Sequence, residues 1–98
     1  MSTLHVLSHS PFTDTRLGSC LRLLGPSDGI LLCGDASYAL MPASAALETL
    51  RQSGLEALYV LDEDLKARNL ALPAGFVSVD YPGFVELSIR FEKVNTWL

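Results

Sequence analysis

Two thiols, a loop histidine and three aspartates at regular places are the residues of this chain whose type and position could support chemistry. A thiol attacks sulfur only as thiolate, so its surroundings decide its use. Cys20 stands in line with Leu17, Leu21 and Leu24, the spacing of one helix face. That placement allows two readings. Cys20 is a small buried hydrophobe, or it is a thiol that the cation of Arg16, one turn earlier, favours as thiolate. It has no second cysteine at C-x-x-C spacing, so if it acts it suits single-thiol persulfide handling better than dithiol redox work. Cys33 ends an apolar run, where packing is the simpler reading.

His9, Asp35, Asp62 and Asp80 each follow a run that reads as a strand. In open parallel sheets, ligands gather at the carboxyl ends of strands. Clustered there, these four could bind a cation or serve as acid and base. Each aspartate also stands where a helix needs a cap, a task at which Asp is among the best residues. His5, inside the first apolar run, reads as a hydrogen-bonded histidine in or beside the sheet.

The elements that would position these residues alternate. Strands are expected at Thr3 to Leu7, Gly29 to Cys33, Glu56 to Leu61 and Phe76 to Val79. Thr13 or Asp14 can cap a helix through Leu24 that Gly25-Pro26 ends. A helix entered at Gly34-Asp35, broken by Pro42 and resumed from Ala43 to Gln52, stops at Gly54. Asp62-Glu63-Asp64 opens a short helix, where acidic groups oppose the positive end of its dipole. The last third is ambiguous. Val85, Leu87, Ile89 and Phe91 alternate with polar residues, which alone spells strand. The strand–helix rhythm instead asks for a helix from Tyr81 to Phe91, with Pro82 at an early helical position, and a short strand from Lys93 to Trp97. As a helix, its scattered apolar residues require burial on more than one side. The sum is one α/β domain over residues 1–98 with a parallel sheet and helices on both faces.

Bulk properties exclude several function classes. Ninety-eight residues suit one domain. With 7 basic and 11 acidic residues, net charge −4 and no basic run, the chain is unsuited to binding nucleic acid directly. No apolar run reaches membrane-spanning length, and the N-terminus lacks the pattern of a secretion signal. Two cysteines match neither a disulfide framework nor a zinc pattern, so a reduced, cytoplasmic setting is expected, with no metal or cofactor. Glycine-rich phosphate loops and the G-x-S-x-G elbow do not occur. Hydrophobic residues are 49% and charged ones 18%, leaving apolar surface over for a partner.

The order of features resembles the TusB/DsrH family. The resemblance is carried by Leu4-His5-Val6-Leu7 with Ser10-Pro11-Phe12, by Ile30-Leu31-Leu32 with Asp35 and Tyr38, and by Asp64-Leu65-Lys66-Ala67-Arg68. It continues through Asp80-Tyr81-Pro82-Gly83-Phe84-Val85-Glu86-Leu87 and Val94-Asn95-Thr96-Trp97-Leu98, so it covers nearly the whole chain in order. Ala36, Asn69 and Pro82 depart from the family's usual residues. The resemblance implies a small flavodoxin-like fold. It implies a cytoplasmic subunit that assembles with TusC-like and TusD-like partners, two copies of each. That complex passes persulfide sulfur through a TusE-like acceptor towards 2-thiolation of the tRNA wobble uridine. A DsrH-type role in sulfur oxidation, with DsrE-like and DsrF-like partners, is the alternative. The principal cysteine of such complexes belongs to the TusD/DsrE-like subunit, in a loop after a strand. The comparable loop here, Leu61-Asp62-Glu63-Asp64, has no thiol. Some DsrH-like members carry a first-helix cysteine, which Cys20 matches as an auxiliary persulfide site. Outside that family, a small ligand- or ion-binding module built on Asp35, Asp62 and Asp80 is the competing expectation, and a homo-oligomer of the isolated chain is a third.

Overall fold

The computed structural model describes residues 2–12 and 15–97. Its elements run β1 Thr3–Leu7, α1 Arg16–Arg22, β2 Gly29–Leu32, a 3-10 helix Gly34–Leu40, α2 Ala45–Gln52, β3 Leu58–Leu61, α3 Asp62–Ala67, β4 Val77–Val79, α4 Tyr81–Arg90 and β5 Lys93–Trp97. All expected elements form, and the last third resolves as helix then strand. Thr13 and Asp14, the expected cap of α1, lie outside the described residues. The resumed helix starts at Ala45 rather than Ala43. Ala43 has a left-handed φ of 61°, and Ser44 caps α2 by accepting from the Leu47 N–H at 2.9 Å.

The five strands are all parallel, in the order β4-β3-β2-β1-β5. That order decides where the helices go. Crossovers in parallel sheets are right-handed. From β1 to β4 every step moves the same way across the sheet, so α1, the 3-10 helix with α2, and α3 all fall on one face, here the front. The step from β4 back to β5 runs the opposite way and puts α4 alone on the rear.

The front core joins Leu7, Leu17, Cys20, Ile30, Leu32, Leu47, Leu50, Leu58, Val60 and Leu65 into one cluster. The rear core is smaller: Leu4, Val6, Leu31, Leu61 and Leu87, with Phe84, Phe91 and Cys33 packed at its margin. Close packing at its lower end depends on Gly29, where a Cβ would lie 2.7 Å from the Phe91 ring. A helix about 10 Å wide cannot cover five strands spaced about 4.8 Å apart. The rear face is accordingly incomplete. Tyr81, Val85 and Ile89 on α4 and Val94 on β5 are exposed, so the burial of α4 on more than one side is not met within this chain.

Candidate functional site

At the carboxyl ends of the strands, Gly34 turns the chain out of β2 with φ 51°, a conformation glycine adopts without strain, and a Cβ there would sit 3.3 Å from the Ser8 carbonyl. Its N–H donates to the Asp64 carboxylate at 2.8 Å. Asp64 lies on the first turn of α3 and Arg68 follows α3 one turn later, so both side chains share one side of the helix. Arg68 donates to the Asp64 carbonyl at 3.2 Å and to the Asp35 carboxylate at 2.8 Å. Its guanidinium carbon is 5.4 Å from the centre of the Tyr38 ring. The Asp35 hydrogen bond raises the Arg68 pKa further, so this cation is permanent. The cluster pins α3 to the β2 turn.

The expected grouping of His9, Asp35, Asp62 and Asp80 does not assemble. Asp35 is taken by Arg68. Asp62 pairs with Lys66 at 2.8 Å. Asp80 caps α4 by accepting from the Gly83 N–H at 2.8 Å, so its capping role is the one realised. His9 is exposed. Asp62 and Asp80 line one shallow cleft with Ser78, Val79 and Gly83. Among the described residues, no group of three or more His, Cys, Asp or Glu side chains could hold a metal ion.

The thiols lie on opposite faces. Cys33 is half-buried behind the Gly34 turn, its Sγ donating to the Leu7 carbonyl at 3.5 Å. Burial raises its pKa, Asp64 adds to the rise, and Arg68 works against both. Cys20 is 0% exposed within the front core. Burial, and after it the charge of Asp28, pushes its pKa up to about 12. In this conformation it is a protonated, covered thiol. The alternative reading of Cys20, a thiolate favoured by Arg16, meets two opposing effects, burial first and then the Asp28 carboxylate.

That carboxylate belongs to a network that sequence patterning did not reveal. Asp28 accepts from the N–H of Gly25 at 2.9 Å, the N–H of Thr3 at 3.0 Å and His5 Nε2 at 3.2 Å. Trp97 Nε1 donates to His5 Nδ1 at 3.1 Å. An indole N–H can only donate, so His5 carries its proton on Nε2 and passes the chain of hydrogen bonds to Asp28. Burial alone would raise the Asp28 pKa, but the hydrogen bonds from Gly25, Thr3 and His5 hold it below the ordinary carboxylate value. The network ties the edge strand β5 to β1 and to the turn before β2. Its one sequence signal was the polar His5 inside an apolar strand.

Asp28, Asp35, Asp64 and Arg68 are thus occupied in holding elements together. Comparison with known proteins gives it relatives. Residues 9–94 match the family model described as DsrH like protein. A protein named TusB from Erwinia tasmaniensis is 40% identical over 97 residues, covering 96% of this chain and 99% of that one. A protein named TusB from Escherichia coli (strain 536) is 35% identical over 96 residues, with the same coverage. The crystal structure of the ychN protein from E. coli superposes with a TM-score of 0.75 at 17% identity, covering 99% of this chain and all of the other, a likeness of fold alone.

Proposed function

The chain belongs to the DsrH-like family, with TusB proteins among its relatives, and on that premise we propose that it is a scaffold subunit of a sulfur-relay complex supporting 2-thiolation of the tRNA wobble uridine. The observation that carries the reading is the near full-length match to TusB proteins. It favours the tRNA pathway over the sulfur-oxidation alternative. The partners are TusC-like and TusD-like subunits, two copies of each with two of this chain, and the sulfur leaves through a TusE-like acceptor. The chain's setting is the cytoplasm; no described helix is long and apolar enough to cross a membrane.

Within that complex the principal carrier thiol belongs to the TusD-like partner rather than to this subunit. The turn from β3 into α3 reads Leu61-Asp62-Glu63-Asp64, and its acidic groups would repel an anionic persulfide. Burial of Cys20 favours the scaffold role over an auxiliary sulfur site. The auxiliary role has a definite chemistry. The Cys20 thiolate would attack the outer sulfur of a donor persulfide, the donor thiolate would leave, and an acceptor thiolate would later take that sulfur and restore Cys20. It requires α1 to move aside first. Mass analysis after loading with a persulfide donor separates the two. The scaffold reading expects the parent and Cys20→Ser to take up equal sulfur, and a Cys20-dependent adduct favours the auxiliary role. The whole proposal is tested by deleting the gene. Loss of wobble-uridine thiolation, with co-purification of TusC-like and TusD-like chains, is expected, and unchanged thiolation would overturn it.

A further inference from the structure

We infer that His5 and Trp97 form a proton-sensitive latch on the last strand: neutral His5 holds the end of β5 to β1, and a second proton on its ring releases it. The two side chains meet on the front of the sheet. In the β1–β5 register His5 stands opposite Asn95 and Leu7 opposite Trp97, which makes His5 and Trp97 diagonal neighbours on one face. Their ring centroids lie 6.1 Å apart, with the planes tilted by 44°. Trp97 Nε1 is 3.1 Å from His5 Nδ1. An indole N–H only donates, so this bond lasts only while Nδ1 keeps its lone pair. On the other side of the ring, Nε2 donates to Asp28 at 3.2 Å.

A second proton must therefore go to Nδ1. The imidazolium is a donor at both nitrogens. Two N–H groups then face each other with no acceptor between them. His5 is 5% exposed, and an unmade hydrogen bond is costly at a buried site. The link from Nε2 to Asp28 is strengthened at the same time, because it becomes charge-assisted. Protonation thus tightens His5 on Asp28 and drops Trp97. The backbone ladder from Thr3 and Lys93 onwards remains, so the change is confined to the end of β5. Trp97 packs against the front core, and release of its indole uncovers the edge of that core.

The surroundings single out His5 as the group that changes. The hydrogen bonds to Asp28 hold its pKa below the ordinary value, so it stays a carboxylate down to about pH 5. Cys20, the thiol on which the Asp28 charge acts, is pushed up to about 12 and stays protonated. Helix α1 turns Leu17 and Cys20 to the sheet, which puts Arg16 on its flank and Arg22 on its outer side. From β2, Ile30 stands opposite His5. From β5 come Asn95 and, one step further down the same face, the exposed Lys93. Imidazole is the side chain whose charge ordinarily changes between about pH 5 and 8.

The inference stands apart from the sulfur-relay reading and is tested on the isolated full-length chain by nitrogen-15 NMR at about pH 8 and about pH 5. At the higher pH, His5 is expected with a bare Nδ1 and a protonated Nε2, and the Trp97 indole N–H is expected to be protected from solvent exchange. At the lower pH, both ring nitrogens are expected to carry protons. Indole protection, corrected for the intrinsic pH dependence of exchange, should then fall about tenfold. Both changes should share one midpoint. The amide of His5→Gln can donate to Asp28 and accept from Trp97 at either pH, so this variant is expected to keep its indole protection. His9→Gln is expected to behave as the parent. Should His5→Gln fail to fold, the paired signals of the parent still decide. A proton on Nδ1 at the higher pH, an indole equally protected at both, a folded His5→Gln that loses protection on acidification, or a His9→Gln that abolishes the loss would each overturn the inference.

Discussion

The two faces of the sheet are built from the same strands yet do different work. The front face carries three crossover connections and closes over one continuous core. Among the described residues the rear carries only α4, over a core of five buried residues. The imbalance follows from one topological step, the insertion of β5 beside β1. Each face also holds one cysteine, covered at the front and half-buried at the rear. The front is where the chain stabilises itself. The rear is where it has surface to offer.

Truncation tests that contrast at its strongest. Leu50→Ala in the front core is expected to cost about 3 kcal/mol in denaturant unfolding, whereas Ile89→Ala on the exposed side of α4 should change stability by less than about 0.5 kcal/mol. Comparable losses would erase the distinction.

The Asp28 network comes next. Asp28→Ala leaves two partly buried N–H groups and His5 without their acceptor and is expected to cost about 1–2 kcal/mol. Its pH dependence has a definite sign. The folded-state pKa is depressed, so the contribution is complete above the unfolded value near 4 and disappears as pH falls through the folded value. Below about pH 4 the parent should lose stability more steeply than Asp28→Asn, as followed by Trp97 fluorescence. Parallel acid profiles would contradict the assignment.

The thiols sharpen the comparison at smaller magnitude. Cys20→Ser places a hydroxyl in the front core and should cost about 1–2 kcal/mol. With a thiol reagent at pH 8, Cys33 should react first and Cys20 only as fast as the chain opens. Equal rates would mean that α1 does not protect Cys20. Smallest is Ser37→Ala. Its hydroxyl is buried without a hydrogen-bond partner, so removing it should be neutral or stabilising by up to about 1 kcal/mol.

Much of this contrast was legible in the chain, and α4 shows how far. Val85, Leu87, Ile89 and Phe91 alternate because the helix has two apolar sides. Leu87 and Phe91 face the rear core, while Val85 and Ile89 face outward. A helix with a packing side and a free side imitates the period of a strand. The expectation that both sides be buried was sound physics applied to too small a unit. The strand-end aspartates were located correctly, but their partners were not. Arg68 and Asp35 are 33 residues apart, and no local pattern announces their pairing. Likewise the Arg16–Cys20 spacing was a valid local argument. Burial of the thiol, and after it the charge of Asp28, work against thiolate there, and only the tertiary fold supplies both.

The central claim is that this chain serves a sulfur relay as a scaffold rather than through its own front-face thiol. It is tested most directly by the 2-thiouridine content of tRNA in a strain lacking the gene, complemented with the parent chain or with Cys20→Ala, both checked for folding by thermal melt. The expected result is that both restore thiolation to the same level. Restoration by the parent but not by a folded Cys20→Ala chain would contradict the account and make Cys20 a sulfur carrier.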